Sequence, residues 1–150
     1  SRSAVPHPAL DKSVSVDQLD SVLSETDVLV STLPLTSATQ GLIDSRRLAL
    51  LGAGAGIIIV GRAKVFDCEA LADALDAGRL SGAVMDVFPV EPLPPSHRLW
   101  STRSLLMTPH CSVDDHVGYV DRCIAIFADN LTRMAKGEPL RNAVNPALGY

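Results

Sequence analysis

This chain lacks the positive charge that a nucleic-acid or anionic-membrane partner demands: 13 lysines and arginines stand against 17 aspartates and glutamates, giving a net charge of −4 and a pI near 5.4. Long apolar runs are missing too. Those around residues 57–60 and 105–107 fall far short of the ~20 residues a bilayer-spanning helix needs. No charged-then-apolar leader opens the sequence. Cysteine is scarce, with Cys68, Cys111 and Cys123 forming neither a CxxC pair nor an even set, so a disulfide framework is not expected and a cytoplasmic setting is. No metal is expected either, because His110 and His116 lack ligand spacing and Asp114-Asp115 fits the acidic first turn of a helix. Internal repeats and low-complexity segments are absent.

What remains is a chain of 150 residues, 47% hydrophobic, which is one domain's worth with ample material for a packed core. Helices and strands alternate along it. Ser15-Val16-Asp17-Gln18 is a capping box, with Leu19, Val22 and Leu23 as the apolar face of a short helix that ends by Asp27. Residues 28–32, VLVST, predict a buried strand, stopped at Pro34 because proline cannot donate to a ladder. A short helix near 44–51, a strand over 57–60, a helix capped by Asp67 and stopped by Gly78, and a strand over 82–88 follow in turn. Pro89, Pro92, Pro94 and Pro95 impose an irregular loop, and 105–107 form the last strand. Val113, Val117, Val120, Ile124, Phe127, Leu131 and Met134 then recur at helical spacing up to Gly137, predicting a long helix with one buried stripe.

Gly52-Ala53-Gly54-Ala55-Gly56 has the composition of a phosphate-cradling turn but the wrong order. Such a turn needs strand, then glycines, then helix, so that the helix N-terminus faces the phosphates. Here the glycines precede the strand and form a permissive loop. Cys111 beside His110 is no nucleophile–base pair, since neighbours in an extended segment point to opposite faces. Cys68, at a helix start, is expected to be buried or simply placed at the surface. Asn130-Leu131-Thr132 matches a glycosylation acceptor only by chance, inside a helical pattern.

Alternating strands and helices argue for a parallel, doubly wound α/β sheet, in which ligands gather at the carboxyl ends of strands. Arg62, Glu91 and His110 all fall just past a predicted strand end or in the loop after it. An arginine fork can grip a carboxylate, a histidine can carry a proton near neutral pH, and a glutamate can hold that histidine charged. As one site, the three suit reduction of a 2-keto acid. As three unrelated residues they would be a surface ion-pair partner, a loop carboxylate and a capping imidazole.

The segments LVSTLPLTSATQGLID, GRAKVFDCEAL, GRLSGAVMDVFPVEPLP and LLMTPH, in this order and spacing, resemble the D-isomer-specific 2-hydroxyacid dehydrogenases, of the glyoxylate/hydroxypyruvate reductase kind, from about Ser1 to Asn145. The resemblance implies catalytic roles: Arg62 as binder of the substrate carboxylate and carbonyl, His110 as general acid/base, Glu91 as its orienting partner. For the cofactor it implies Asp86 on the nicotinamide carboxamide, backbone contacts from Val60 and Gly61, Pro34 with Thr39 lining the pocket, and Ser112. Ser1-Arg2-Ser3 would follow the second strand of such a domain, where an arginine accommodates a 2′-phosphate, so NADP is preferred over NAD. A homodimer acting on a small 2-keto or 2-hydroxy acid is implied as well.

Several positions depart from the family pattern, which has glycine where Ala63 stands, a small residue at Lys64 and a polar one at Ile59. The glycine fingerprint, the first strands and the substrate domain have no counterpart in these residues. Residues 1–137 are therefore expected to be part of an NAD(P)-binding domain and 138–150 a tail leading toward a substrate domain. Removal of two strands is expected to leave a gap roughly 10 Å wide at ~4.8 Å per strand, and the chain by itself is expected to be inactive and prone to swapping or aggregation. The alternatives are a nonenzymatic dinucleotide-binding regulator, like the C-terminal binding protein corepressors, and a half domain acting only in association.

Overall fold

A computed structural model describes residues 4–112, 115 and 117–147. The chain divides into two compact units, Ser1–His110 and Cys111–Tyr150. In the first, four strands, β1 (Val28–Ser31), β2 (Gly56–Ile59), β3 (Gly82–Met85) and β4 (Leu105–Met107), form one parallel sheet in the order β1-β2-β3-β4. Val28 lies opposite Gly56, Gly56 opposite Gly82, and Ala83 opposite Leu105. Pairing in sequence order leaves no room for the expected gap: the sheet is continuous, and β1 lies at its edge.

Helices α1 (Asp20–Leu23), α2 (Ser45–Leu50) and α3 (Cys68–Asp76) contribute to the core of this unit. The predicted capping box is present, with the Ser15 amide donating to Gln18 at 3.4 Å, but it opens a 3-10 turn, Val16–Gln18, ahead of α1. Asp44 caps α2 and Asp67 caps α3, each accepting a backbone amide, and Gly78 ends the α3 region at φ +68°. Ile57, Ile59 and Met85 meet Leu48, Leu71 and Leu75 in one cluster, all at most 2% exposed. Each such side chain removed from water stabilises the fold by about 1.5–3 kcal/mol.

The opposite sheet face is different. Val28 and Val30 are each 54% exposed and Leu106 57%, which corrects the reading of residues 28–32 as a buried strand. An all-apolar parallel strand signals cover on both faces, and here α1–α3 share a core with one face only. The open α/β architecture is as expected, realised as one covered side of a Rossmann-like sheet.

β3 is shorter than predicted, ending at Met85 where Asp86 begins the loop. Two short helical turns were not foreseen, Ala63–Val65 and Arg98–Ser101. The second is tied to α3 by Arg98, whose guanidinium contacts Glu69 (3.2 Å), Asp73 (2.8 Å) and Asp76 (3.1 Å). Trp100 adds a bond from Nε1 to the Pro94 carbonyl at 3.0 Å.

The second unit is built on α4 (Tyr119–Lys136), closed by Gly137 at φ +71°. Its periodic residues are where the sequence placed them, from Val117 onward, but exposed instead of buried: Val120 at 64%, Phe127 at 64% and Met134 at 65%. Periodicity fixes which residues share a face, not what covers it. Val113 lies outside the described residues. Asn130, far from being a sugar acceptor, exchanges two hydrogen bonds with the Arg141 backbone at 3.0 and 2.8 Å. No helix among the described residues is long and apolar enough to cross a membrane.

Candidate functional site

The site begins with a backbone crossing. The Ser31 carbonyl, at the end of β1, accepts from both the Val60 (3.1 Å) and Gly61 (3.0 Å) amides, so the chain leaving β2 is drawn against the chain leaving β1. A Cβ on Gly61 would lie 2.5 Å from the Leu33 carbonyl oxygen and 2.7 Å from the Leu33 nitrogen. Only glycine fits. Arg62 follows in extended conformation, φ −140° and ψ 130°, with Nη1 donating to the Gly61 carbonyl at 2.7 Å. Thus the amides at Val60 and Gly61 serve the sheet end, leaving carbonyls as the backbone groups they can present.

Across the sheet, Glu91 and His110 meet. The Glu91 Oε2 to His110 Nδ1 distance is 2.8 Å, and Oε1 accepts the Phe88 amide at 2.8 Å. The imidazole, then the Phe88 amide, then the more distant Arg62 charge hold the Glu91 carboxyl below the ordinary carboxylate range. The Glu91-Pro92 peptide is cis. His110 has φ +55°, the left-handed region that only a few non-glycine residues occupy, and its amide donates to the Thr108 carbonyl at 2.9 Å. Uncommon backbone held by surrounding bonds is a mark of functional positions.

Because the carboxyl is stabilised in its ionised form, the Glu91 pairing contributes to stability above the unfolded value near pH 4.3 and is lost as pH falls through the lower folded value. With Glu91 and His110 side chains 38% and 45% exposed, water limits the contribution to about 1 kcal/mol or less. Glu91→Gln is expected to flatten that part of the acid limb when urea midpoints are followed from pH 7 to pH 3; an unchanged limb would contradict the pairing.

Asp86, beyond β3, is 1% exposed and accepts a bond from the Thr108 hydroxyl at 2.5 Å. Pro34 and Thr39 are brought together in the loop after β1, where the Thr39 hydroxyl donates to the Pro34 carbonyl at 2.7 Å and accepts the Thr36 amide at 2.8 Å. Ser112 is exposed in the second unit, and Ser1, Arg2 and Ser3 lie outside the described residues. Thr108 and the Phe88 amide were not singled out by sequence, because their part depends on contacts between strand ends. Cys68 is buried, and desolvation together with Asp67 and Glu69 pushes its thiol up to about 11, an inert state. Among the described residues no group of three or more potential ligands could hold a metal.

A nicotinamide fits part of this arrangement. A buried carboxyl at a strand's carboxyl end suits a carboxamide, whose NH2 group needs acceptors. For a diphosphate, the described residues show no strand–glycine–helix turn, since the glycines of 52–56 precede β2.

A parallel sheet whose carboxyl-end loops gather an arginine, a Glu–His pair and a buried aspartate defines an open α/β domain of the dinucleotide-binding class. The family model of the D-isomer specific 2-hydroxyacid dehydrogenase NAD binding domain matches residues 1–112, and the chain belongs to this family. Glyoxylate/hydroxypyruvate reductase A of Salmonella newport is 36% identical over 154 residues, spanning 100% of this chain and 47% of that protein. Among solved structures, a D-isomer specific 2-hydroxyacid dehydrogenase from Xanthobacter autotrophicus Py2, in complex with NADPH and MES, matches with TM-score 0.82 at 38% identity over 91% of this chain and 55% of its own. An NADPH-dependent glyoxylate/hydroxypyruvate reductase from Sinorhizobium meliloti, in complex with NADP and sulfate, gives TM-score 0.85 at 29% identity over 97% of this chain and 47% of its own. The chain thus spans about half the length of the curated relatives it matches.

Proposed function

We propose that the protein to which these residues belong reduces a small 2-keto acid to the D-2-hydroxy acid at the expense of NADPH, with NADH the poorer donor. The observation that carries this reading is the 2.8 Å Glu91–His110 pair in the segments that follow β3 and β4. The reduced nicotinamide supplies the hydride. Glu91 engages Nδ1, so the opposite nitrogen, Nε2, is the one that carries the proton to the substrate oxygen as it gains negative charge. Solvent then restores the proton. Arg62, with five donors in a planar fork, grips the carboxylate and polarises the carbonyl. Asp86 takes the carboxamide, fixing which face of the ring meets the keto carbon. Val60 and Gly61 line that approach and Pro34 and Thr39 border it; for Ser112, and for Arg2 with Ser1 and Ser3 at a 2′-phosphate, the support is the family resemblance alone.

The 150 residues by themselves are proposed not to turn over, because the diphosphate turn is missing from the described part. Cys68, Cys111 and Cys123, an odd set without CxxC spacing, support a cytoplasmic setting, and the homodimer implied by the family resemblance is checked by light scattering. The deciding experiment follows NADPH and NADH oxidation by the full-length protein with glyoxylate, hydroxypyruvate and bulkier keto acids. Turnover of a small keto acid, faster with NADPH, is expected. Tight dinucleotide binding with no acceptor reduced would overturn the enzymatic reading.

A further inference from the structure

We infer that Thr108 is a positioning residue that locks the cofactor-gripping carboxyl and the proton-carrying imidazole into one mechanical unit, an inference that rests on the proposed reductase reading. The bonds form a closed circuit. From Asp86 the backbone runs to Phe88, whose amide holds Glu91 Oε1 at 2.8 Å; Glu91 Oε2 meets His110 Nδ1 at 2.8 Å; the His110 amide bonds the Thr108 carbonyl at 2.9 Å; and the Thr108 hydroxyl returns to Asp86 Oδ1 at 2.5 Å. The circuit is pinned to the sheet twice, by the Thr108 amide on the Met85 carbonyl and the Asp86 amide on the Ile59 carbonyl, both at 3.0 Å.

Thr108 is the residue of this circuit that touches both Asp86 and His110. Its carbonyl restrains the turn that holds His110 at φ +55°, and its hydroxyl fixes the rotation of a carboxyl that is 1% exposed. A hydroxyl donor on one carboxyl oxygen restrains how that carboxyl turns. Because packed, hydrogen-bonded groups move together, the orientation of Asp86 and that of the Glu91–His110 pair are coupled through the residue between them. A mere core-satisfying threonine would affect stability and nothing else.

The test uses the full-length protein and three substitutions. Thr108→Val keeps shape and carbonyl and deletes the hydroxyl; Thr108→Ser keeps the hydroxyl; Thr108→Ala serves if the valine variant does not fold. NADPH affinity is read by fluorescence titration without substrate, and kcat separately. The valine variant is expected to bind NADPH about tenfold more weakly and to lose about tenfold in kcat, as fits loss of a hydrogen bond to a charged group, with serine within about twofold of the starting protein in both. NADPH affinity unchanged in a folded hydroxyl-free variant overturns the role. Weakened binding with kcat intact overturns the link to His110. A starting protein that binds neither dinucleotide overturns the reductase reading and this inference together, whereas normal binding that is indifferent to the hydroxyl overturns this inference only.

Discussion

Replacing His110 by asparagine is expected to lower kcat about a thousandfold, within the range that general acid–base groups contribute, while NADPH affinity stays near that of the unsubstituted full-length protein. Asparagine is chosen for the backbone. His110 occupies φ +55°, a region in which asparagine is several-fold enriched over most residues, so the substitution removes the proton carrier without forcing the turn to relax. The proton deficit should appear as a flattened acid–base profile, because the side chain paired to Glu91 Oε2 is that of His110. Steady-state rates with glyoxylate across pH 5–9 provide the check. An asparagine variant retaining a tenth or more of the rate would remove His110 from the mechanism.

The second large effect concerns stability. Gly61→Ala places a methyl 2.5 Å from the Leu33 oxygen and 2.7 Å from both the Leu33 nitrogen and the Thr32 carbonyl carbon. All three are main-chain atoms, which cannot swing aside as a side-chain tip would. Overpacking of this kind costs about 3 kcal/mol or more, and relief by separating the two segments would break the paired bonds from Val60 and Gly61 to Ser31. Arg62 would move with them. Gly52→Ala is the control, since its Cβ would meet only the Ser24 carbonyl at an ordinary 3.5 Å. Equilibrium urea unfolding should show a large fall in midpoint for the first and little change for the second; equal midpoints would mean that the crossing is looser than described.

Much of this was legible in the residues because the signals were local. Asp44 and Asp67 announce helix starts through a side chain that reaches its own first turn, and the misplaced glycines of 52–56 were separable from a phosphate turn by order alone. Arg62, Glu91 and His110 could be nominated because each follows a strand. That Glu91 and His110 meet is a matter of strand order, which in a parallel sheet written β1-β2-β3-β4 makes the ends of consecutive strands adjacent. What escaped was set by distant contacts. The glycine requirement at 61 depends on Leu33, the importance of Thr108 depends on Asp86, and the exposure of Val28, Val30 and the α4 stripe depends on what does not cover them. Apolar runs reveal a preference for burial but carry no record of the partner. The gap was expected from taking the strands at 28 and 57 as third and fourth in the order 3-2-1-4-5-6, whereas the two pair directly.

Arg98 gives the loop beyond Glu91 an ionic tether whose grip can be dialled from outside. One guanidinium gathers Glu69, Asp73 and Asp76 from successive turns of α3, and Asp76 is held below the ordinary carboxylate range first by the Arg103 amide and then by Arg98. These groups sit at the surface, so added salt weakens their attraction over distances of about 10 Å at 0.1 M. Amide exchange over residues 96–103 should therefore quicken with ionic strength while the strands remain protected, making solvent composition a control on how firmly the loop beyond Glu91 is moored.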